Sequence, residues 1–305
     1  MADIGLPVEN SHLVVENGAI LTELGEVQIL LGESEYDTTN DLHKKDKDLN
    51  TLATWQYEKR IWAIAADSNG NIFVGGENED VHKLDNSLNN LSSWQYGYGV
   101  NVLATDSNGN VFIGGAGDDV HKLDNSLNHQ GGWDYGGEVE GLATDSNGNV
   151  FVGGGEWNED VHKLDNSLND QGSWDYGDRV RALATDSNGN VFVGGYNNDV
   201  HKLDNSLNDQ GSWDYGTNIY DLATGPNGNV FFFGSGSTVQ KLDNDLNDQG
   251  SSSVDGNTGY LTVSAKGNVF VIDSTDDLYK FDNSLNQLTK TNHGTPSDVI
   301  ATYYG

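Results

Sequence analysis

The sequence predicts an all-β protein, a seven-bladed β-propeller of four-stranded antiparallel blades in which a C-terminal strand closes the ring. Three observations predict this fold: a repeat of about 40 residues, four short strand patterns in each repeat, and an extra strand pattern at the C-terminus. The motif DVHKLD and its variants mark the repeat, with copies that begin at Asp41, Asp80, Asp119, Asp160, Asp199, Thr238 and Asp277. Five of the intervals are 39 residues long and one is 41. Because this spacing leaves no room for a linker, residues 20–305 are predicted to form one domain after an N-terminal segment, residues 1–19.

One copy, residues 180–216, shows the four strand patterns in order. Residues 180–185 and 190–193 are predicted as the first and second strands, joined by the turn DSNG, whose Asn-Gly step suits a tight hairpin. Residues 199–204 and 212–215 are predicted as the third and fourth strands, with the turn NSLN between them. A sheet this small buries both faces only when it packs between two neighbours, which is typical of a propeller blade.

The two ends of the chain are predicted to share one blade. Residues 297–302 align with residues 180–185, so the chain ends on an extra first strand. Residues 26–31 are predicted as the second strand of the same blade, which would leave no open sheet edge. Residues 13–24 fit the repeat poorly, and a supplementary strand, a lid and a docking segment are the alternatives for them.

The repeat resembles two known propeller families. The run LATDSNGNVFVGG followed by DVHKLD is similar to the NHL repeat, and KLDNSLNDQGSW resembles the repeats of quinoprotein-like (PQQ-like) propellers. The near-identical copies also resemble repeat propellers of halophilic archaea and their viruses. The resemblance covers about residues 20–302 and implies a propeller fold. It implies no single activity, because such folds include lyases, hydrolases, dehydrogenases and scaffolds.

The composition is strongly acidic. Acidic residues outnumber basic ones 47 to 15, which gives a net charge of −32 at pH 7. Nucleic acids and anionic membranes are bound through clustered Lys and Arg, so we expect neither nucleic-acid binding nor membrane insertion. A carboxylate-rich, lysine-poor surface stays hydrated where salt screens self-repulsion, which favours a halophilic source; an ordinary acidic protein is the alternative.

The sequence has no cysteine, which excludes disulfides and Cys-ligated metals. The N-terminus shows no basic region followed by a long apolar run, so we predict no signal peptide and no transmembrane segment. These features predict a soluble protein made in the cytoplasm. Such a protein can still leave the cell inside a virus particle, by a route that needs no signal.

Two residue types recur at fixed places and are interpreted as structural. Equivalent positions in different blades lie too far apart to share a metal ion, so the histidines are expected to be structural, with hydrogen bonds to the adjacent blade as one option. The tryptophans are expected to pack between blades, with carbohydrate stacking as the alternative. The recurring residues are His43, His82, His121, His162 and His201 on the third strand, and Trp55, Trp94, Trp133, Trp174 and Trp213 on the fourth.

The turn DSNGN, which begins at Asp67, Asp106, Asp145 and Asp186, has oxygen atoms at spacings similar to those of a calcium loop. It lacks the distal bidentate glutamate of an EF-hand, so we interpret it as a structural turn with calcium binding as the alternative. The aspartates of the KLDNSLN turns are interpreted as turn caps. We predict no catalytic residue, no cofactor and no metal site, because no departure from the repeat gathers the groups that they need.

The copies differ from one another at the start of the first strand and in the loop between the second and third strands. Both places lie on one face of an up-and-down blade, which we call the variable face; the turns DSNGN and DNSLN lie on the opposite, constant face. Alternate residues of a strand share a side, so the first-strand residues should surround the mouth of the axial channel. The candidate partner-binding residues are Arg60, Trp62, Asn101, Glu138, Glu140, Trp157, Arg179, Arg181, Tyr196, Asn218, Tyr220 and Asp298.

Neutral drift of exposed loops is the alternative explanation of this variation. The turns of the constant face, taken as equally exposed, have not drifted, which argues against it. Those turns also need special backbone geometry and tolerate less change, which argues for it.

The leading hypothesis is a non-enzymatic recognition or assembly protein that binds a protein or glycan partner through the variable face and assembles into a larger particle. Its most concrete form is a structural or host-recognition component of the virion of a halophilic archaeal virus. The alternatives are an intracellular protein-interaction scaffold of a halophile, and a lyase or hydrolase that acts at the axial channel.

Overall fold

The computed structural model describes residues 13–16, 19–22, 27–34, 40–155, 160–257 and 259–304. In chain order the strands are β1 (Leu13–Glu16), β2 (Ala19–Thr22), β3 (Val27–Glu33), β4 (Asn40–Lys45), β5 (Thr51–Tyr57), β6 (Ile61–Ala66), β7 (Ile72–Gly76), β8 (Asp80–Leu84), β9 (Asn90–Gln95), β10 (Val100–Thr105), β11 (Val111–Gly115), β12 (Asp119–Leu123), β13 (His129–Asp134), β14 (Glu138–Thr144), β15 (Val150–Gly155), β16 (Asp160–Leu164), β17 (Asp170–Asp175), β18 (Val180–Thr185), β19 (Val191–Gly195), β20 (Asp199–Leu203), β21 (Asp209–Asp214), β22 (Ile219–Thr224), β23 (Val230–Gly234), β24 (Thr238–Leu242), β25 (Asp248–Ser253), β26 (Gly259–Val263), β27 (Val269–Asp273), β28 (Asp277–Phe281), β29 (Gln287–Asn292) and β30 (Ser297–Tyr304).

These strands form seven four-stranded antiparallel sheets, each of which is one blade. Blade 1 has the strand order β30-β3-β4-β5, blade 2 is β6 to β9, and blades 3 to 7 follow in consecutive groups of four from β10 to β29. The first strand of each blade is innermost and borders the axial cavity. The predicted fold class is confirmed.

Helix is almost absent from this architecture. Over the ranges given above it is limited to a 3-10 turn of 3 residues (Pro226–Gly228). No helix in the described part of the chain has the length and hydrophobicity that a membrane crossing requires.

Blade 1 closes the ring as predicted. The C-terminal strand β30 pairs with β3 in the register Ile29 with Thr302 and Leu31 with Ile300. The second strand of this blade, predicted at residues 26–31, is observed at Val27–Glu33. The hairpin of β1 and β2 forms a separate two-stranded sheet that spans the predicted boundary at residue 19, so the domain division stays a prediction.

Adjacent blades approach closely because the second strand of one blade carries a glycine opposite a β-branched residue of the next. A Cβ atom added at Gly75 of blade 2 would lie only 2.6 Å from Cγ1 of Val100 in blade 3. Val100 is completely buried in this contact. Packing between blades therefore requires the glycine as much as it requires the apolar side chains.

The repeating aromatic residues also pack between blades. Trp94 and Tyr96 of blade 2 face His121 of blade 3, with ring centroids 5.5 Å apart in both pairs. The histidines meet the adjacent blade through these ring contacts, while side-chain hydrogen bonds such as that of His82 with Asn90, 2.9 Å, stay inside one blade. The predicted interblade packing of the tryptophans is confirmed.

Hydrogen bonds tie the DSNGN turns of the constant face to neighbouring blades. In blade 2, Oδ1 of Asp67 accepts the backbone N–H groups of Asn69 and Asn71, at 2.9 Å each. Its Oδ2 accepts Nδ2 of Asn71 at 2.7 Å and Nδ2 of Asn125 from blade 3 at 2.6 Å. Each oxygen has two donors, which occupies the lone pairs that a calcium ion would need. The geometry favours the structural turn over the calcium alternative.

The aspartate of this turn is buried, whereas the serine and the asparagine that follow it are exposed. Asp106 and Asp145, at the same place in blades 3 and 4, are 0% exposed, and Asp67 is 2% exposed. Burying a carboxylate is favourable only when it is fully hydrogen bonded. The bonds between blades therefore explain why blades 2 to 5 keep the aspartate, which is replaced by Gly225 and Ser264 in blades 6 and 7.

The DNSLN turn forms the second link between blades. In blade 3, Oδ1 of Asp124 accepts the backbone N–H groups of Ser126 and Asn128, which confirms the predicted turn cap. From blade 2, Nζ of Lys83 donates to the carbonyl oxygen of Asn125 at 2.6 Å and to its Oδ1 at 2.7 Å. Equivalent lysine bonds recur around the ring.

Candidate functional site

The first strands surround a cavity of about 450 Å³ on the ring axis. Several of the predicted partner-binding residues line it and come from within or just before the first strands of blades 2 to 6: Trp62, Asn101, Glu138, Glu140, Arg179, Arg181 and Tyr220. The structure thus brings these residues together at the axis, where the sequence predicted them.

In blades 2 to 6, a β-bulge contains the most variable residue of the first strand. In blade 5, Val180 pairs with Gly195 and Ala182 pairs with Gly194, which leaves Arg181 as an extra residue between them. The same irregularity occurs at Trp62, Asn101, Glu140 and Tyr220. Arg179 and Arg181 both line the cavity and Val180 between them is buried, as the predicted alternation requires. The bulge adds Arg181 to the strand pairing, a feature that the alternation does not show.

An ion cluster lies at the border of blades 4 and 5. Glu140 is 7% exposed at its side chain and accepts two hydrogen bonds from Arg179, one of them from Nε at 2.6 Å. Nη1 of Arg181 lies 3.7 Å from the same carboxylate. The hydrogen bonds to Glu140 raise the pKa of Arg179, so its guanidinium stays positively charged. Nε of Arg181 is buried and has no hydrogen-bond partner among the described residues.

Aromatic rings cover this cluster. The guanidinium of Arg179 lies 5.6 Å from the ring centre of Tyr196, and that ring lies 6.4 Å from the ring of Tyr220. At the same level of blade 2, Arg60 stacks 5.0 Å from the ring centre of Trp62. Cations stacked on aromatic rings form a surface suited to planar polar groups of a partner.

The other predicted partner-binding residues make contacts outside the ion cluster. Nε of Arg60 pairs with Oε2 of Glu77 at 3.1 Å, and Nδ2 of Asn101 donates to Oε1 of Glu138 at 2.7 Å. The carbonyl of Asn218 accepts the backbone N–H of Ser235.

Two predicted residues have no side-chain description. Trp157 lies outside the described residues, and for Asp298 only the backbone, within β30, is described.

Asp221 belongs to the cavity and was missed by the sequence analysis. Its Oδ2 accepts the backbone N–H of Leu261 from blade 7 at 2.7 Å. Burial raises the pKa of Asp221 to about 7, although two backbone hydrogen bonds and Arg181 act to lower it. The signal was present in the repeat, because the same position holds small apolar residues in other blades: Ala63, Val102, Gly141 and Ala182.

Comparison with known proteins identifies the fold but no family. No protein-family model matches the chain. No curated protein matches it in sequence. The structure is similar to a crystal structure of the WD40 β-propeller domain of Doa1, with a TM-score of 0.69 and 12% sequence identity over 84% of this chain and 93% of that chain. At this identity the similarity is evidence for the fold alone, so the NHL-like or quinoprotein-like repeat type stays a prediction.

In architecture, the chain is a seven-bladed β-propeller of four-stranded antiparallel blades.

Proposed function

We propose that this propeller is a non-enzymatic recognition or assembly protein that binds a protein or glycan partner at the variable-face end of its axial cavity. The observation that supports this most is the cluster of Arg179, Arg181 and Glu140 with Tyr196 and Tyr220 beside it. Two arginines and two tyrosines stand together on a protein with a net charge of −32. Arginine and tyrosine are the residue types that contribute most to binding at protein interfaces.

A binding experiment with a matched pair of variants tests this proposal. Tyr196→Ser and Tyr220→Asn together introduce residues that other blades carry at these places, Ser235 and Asn101, so the fold should persist. Asp245→Ser is the control on the constant face, where other blades carry serine. We expect partners captured from a salt-adapted lysate or from purified virions to be lost by the double variant and kept by the control. Equal capture by both would contradict the proposal.

The finer proposal is that the protein is a structural or host-recognition component of the virion of a halophilic archaeal virus. Its support is the acidic surface and the resemblance of the repeats. Immunodetection in purified virus particles tests the location, and capture with host cytoplasmic partners alone would favour the intracellular scaffold instead. Equal stability at about 50 mM and about 2 M salt would contradict adaptation to high salt, because screening differs greatly between them.

One observation favours the second candidate, a lyase or hydrolase at the axial channel. Asp221 lines the cavity, and its pKa of about 7 suits a general acid or base. If this candidate were correct, an activity found by substrate screening would fall by at least about 100-fold in Asp221→Asn. A binding protein would keep its partner after the same substitution.

A further inference from the structure

Blades 7 and 1 meet at the junction that closes the ring, and side chains from both ends of the propeller come together there. Blade 1 contributes Glu33 at the end of β3 and His43 in β4, and blade 7 contributes His293 just after β29. One carboxylate oxygen and two imidazole nitrogens from these residues all lie within 4.8 Å of one another. Carboxylate and imidazole are the ligand types that bind divalent transition metals.

The geometry of this group is close to that of a metal site. Oε1 of Glu33 lies 2.9 Å from Nε2 of His43 and 3.9 Å from Nε2 of His293. In a tetrahedral site with bonds of about 2.0–2.1 Å, ligand atoms are separated by about 3.3 Å, a value that lies between these two distances. Side-chain exposure is 12% for Glu33, 15% for His43 and 5% for His293, so a bound ion would be largely shielded.

Neighbouring groups hold the carboxylate of Glu33 in position. Oγ1 of Thr295 donates to its Oε1 at 2.7 Å, and the backbone N–H of Asp41 donates to its Oε2 at 2.8 Å. Such outer hydrogen bonds orient carboxylate ligands in metal sites.

His293 has a buried ring nitrogen that supports a metal site independently of the distances. Its Nε2 is buried and makes no hydrogen bond in the part of the chain that the structure describes. A buried polar nitrogen without a partner is costly, and a metal ion beside Glu33 and His43 would satisfy it.

Two of the three side chains depart from the repeat, and they do so at the same junction. At the ordinary junction of blades 4 and 5, His201 faces Tyr176 with ring centroids 5.8 Å apart. Tyrosine stands there in place of His293, and Gly195 stands in place of Glu33. The ring-closing junction therefore carries His293 and Glu33 where the junction of blades 4 and 5 has a tyrosine and a glycine. The third residue, His43, is part of the repeat.

We propose that Glu33, His43 and His293 bind one divalent transition-metal ion of the zinc class, with water completing its coordination. Two imidazoles and one carboxylate suit Zn²⁺ or Co²⁺ rather than Ca²⁺ or Mg²⁺, which prefer oxygen ligands. The site departs from the expectation of no metal drawn from the sequence. Because its ligands come from the first and last blades, the ion would cross-link the two ends of the propeller and oppose opening of the ring.

Zinc titration of the full chain, after metal removal with a chelator, tests this site. We expect one Zn²⁺ per chain by calorimetry, a rise in Tm on zinc addition, and Co²⁺ absorption bands of a low-coordinate site. His43→Gln and His201→Gln are matched variants, because blade 6 already carries Gln240 at this place. We expect zinc affinity to fall at least about 10-fold in His43→Gln and to stay unchanged in His201→Gln.

His293→Tyr adds a test that does not depend on loss of folding, because it introduces the residue that five other blades carry at this position. We expect it to keep the fold and to lose both zinc binding and the rise in Tm. Failure of the unaltered chain to bind zinc at about 100 μM would overturn the proposal. So would zinc binding that is the same in His43→Gln, His293→Tyr and the unaltered chain.

Discussion

The constant and variable faces of the ring are built from one repeat, but their residues bond in different ways. On the constant face, lysine bonds such as that of Lys83 with Asn125 link all seven pairs of adjacent blades, and bonds between asparagine and aspartate link four pairs. On the variable face, the bond between Arg179 and Glu140 links one particular pair of blades. The side-chain bonds of the constant face therefore repeat around the ring, whereas the channel-mouth side chains of the variable face carry different chemistry in each blade.

This difference changes how the variation between copies should be explained. The constancy of the bonded aspartates, asparagines and lysines follows from their bonds, so it is not evidence for selection on the opposite face. Evidence for a function must come from features that neutral drift is not expected to produce. Glu140, buried under two arginines, and Asp221, with its raised pKa, are such features.

The largest expected effect is on the constant face. Asp106→Ala removes a fully buried carboxylate that accepts four hydrogen bonds, including one of 2.8 Å from Asn166 of the next blade. Because the donors are left without a partner, we expect the free energy of unfolding to fall by about 3 kcal/mol, measured by denaturant unfolding. Asp245→Ser, an exposed change on the same face, should alter it by about 0.5 kcal/mol or less. Similar losses in both variants would show that the buried network does not determine stability.

A smaller effect is expected for the lysine links. Lys163→Met removes hydrogen bonds of 2.6 Å to the carbonyl oxygen and the Oδ1 of Asn205 in the next blade, and we expect a loss of about 1.5 kcal/mol. The comparison on the variable face is Glu77→Gln, which weakens the pair with Arg60; because Glu77 is 37% exposed, we expect about 0.5 kcal/mol or less. Thermal and denaturant unfolding of both variants measure the contrast. A Glu77→Gln loss as large as that of Lys163→Met would mean that the variable face also holds the ring together.

The fold was predictable from the sequence because it depends on features that repeat. The Asn-Gly turns, the glycine opposite Val100 and the Trp-Tyr pairs each leave a periodic signal. The candidate sites depend on single departures instead, such as Asp221 among small apolar residues and Glu33 in place of glycine. The bulge at Arg181 was missed because a strand pattern shows alternation but not an added residue in the pairing. The junction of Glu33 with His293 was missed because its residues lie 260 positions apart and meet only when the ring closes.

The raised pKa of Asp221 predicts that the stability of the protein depends on pH. The pKa of Asp221 in the folded state is raised from 3.8 to about 7, so its stabilising contribution is complete below about pH 4 and is lost as the pH rises through 7. Asp221→Asn keeps an acceptor for Leu261 and removes the charge. We expect the variant to be more stable than the unaltered chain by about 1 kcal/mol at pH 8, less than full burial would give because Asp221 borders the cavity. Near pH 4 the two proteins should be equally stable; an identical difference at both pH values would contradict the raised pKa.

The smallest effect is expected at Tyr196, the aromatic residue of the variable face. Tyr196→Ser removes the contact of its ring with Arg179, 5.6 Å away, and we expect a loss of about 0.5 kcal/mol. The matched change is Tyr176→Ser in the interblade core, where the ring is 3% exposed and packs against His201, and there we expect about 3 kcal/mol. Denaturant unfolding of the two variants compares the same substitution in two places 20 residues apart. If Tyr196→Ser were as costly as Tyr176→Ser, Tyr196 would belong to the structural core. If Tyr196→Ser costs little, the stability of the fold does not explain why a tyrosine stacks on Arg179 at the mouth of the cavity. Binding is then the better explanation.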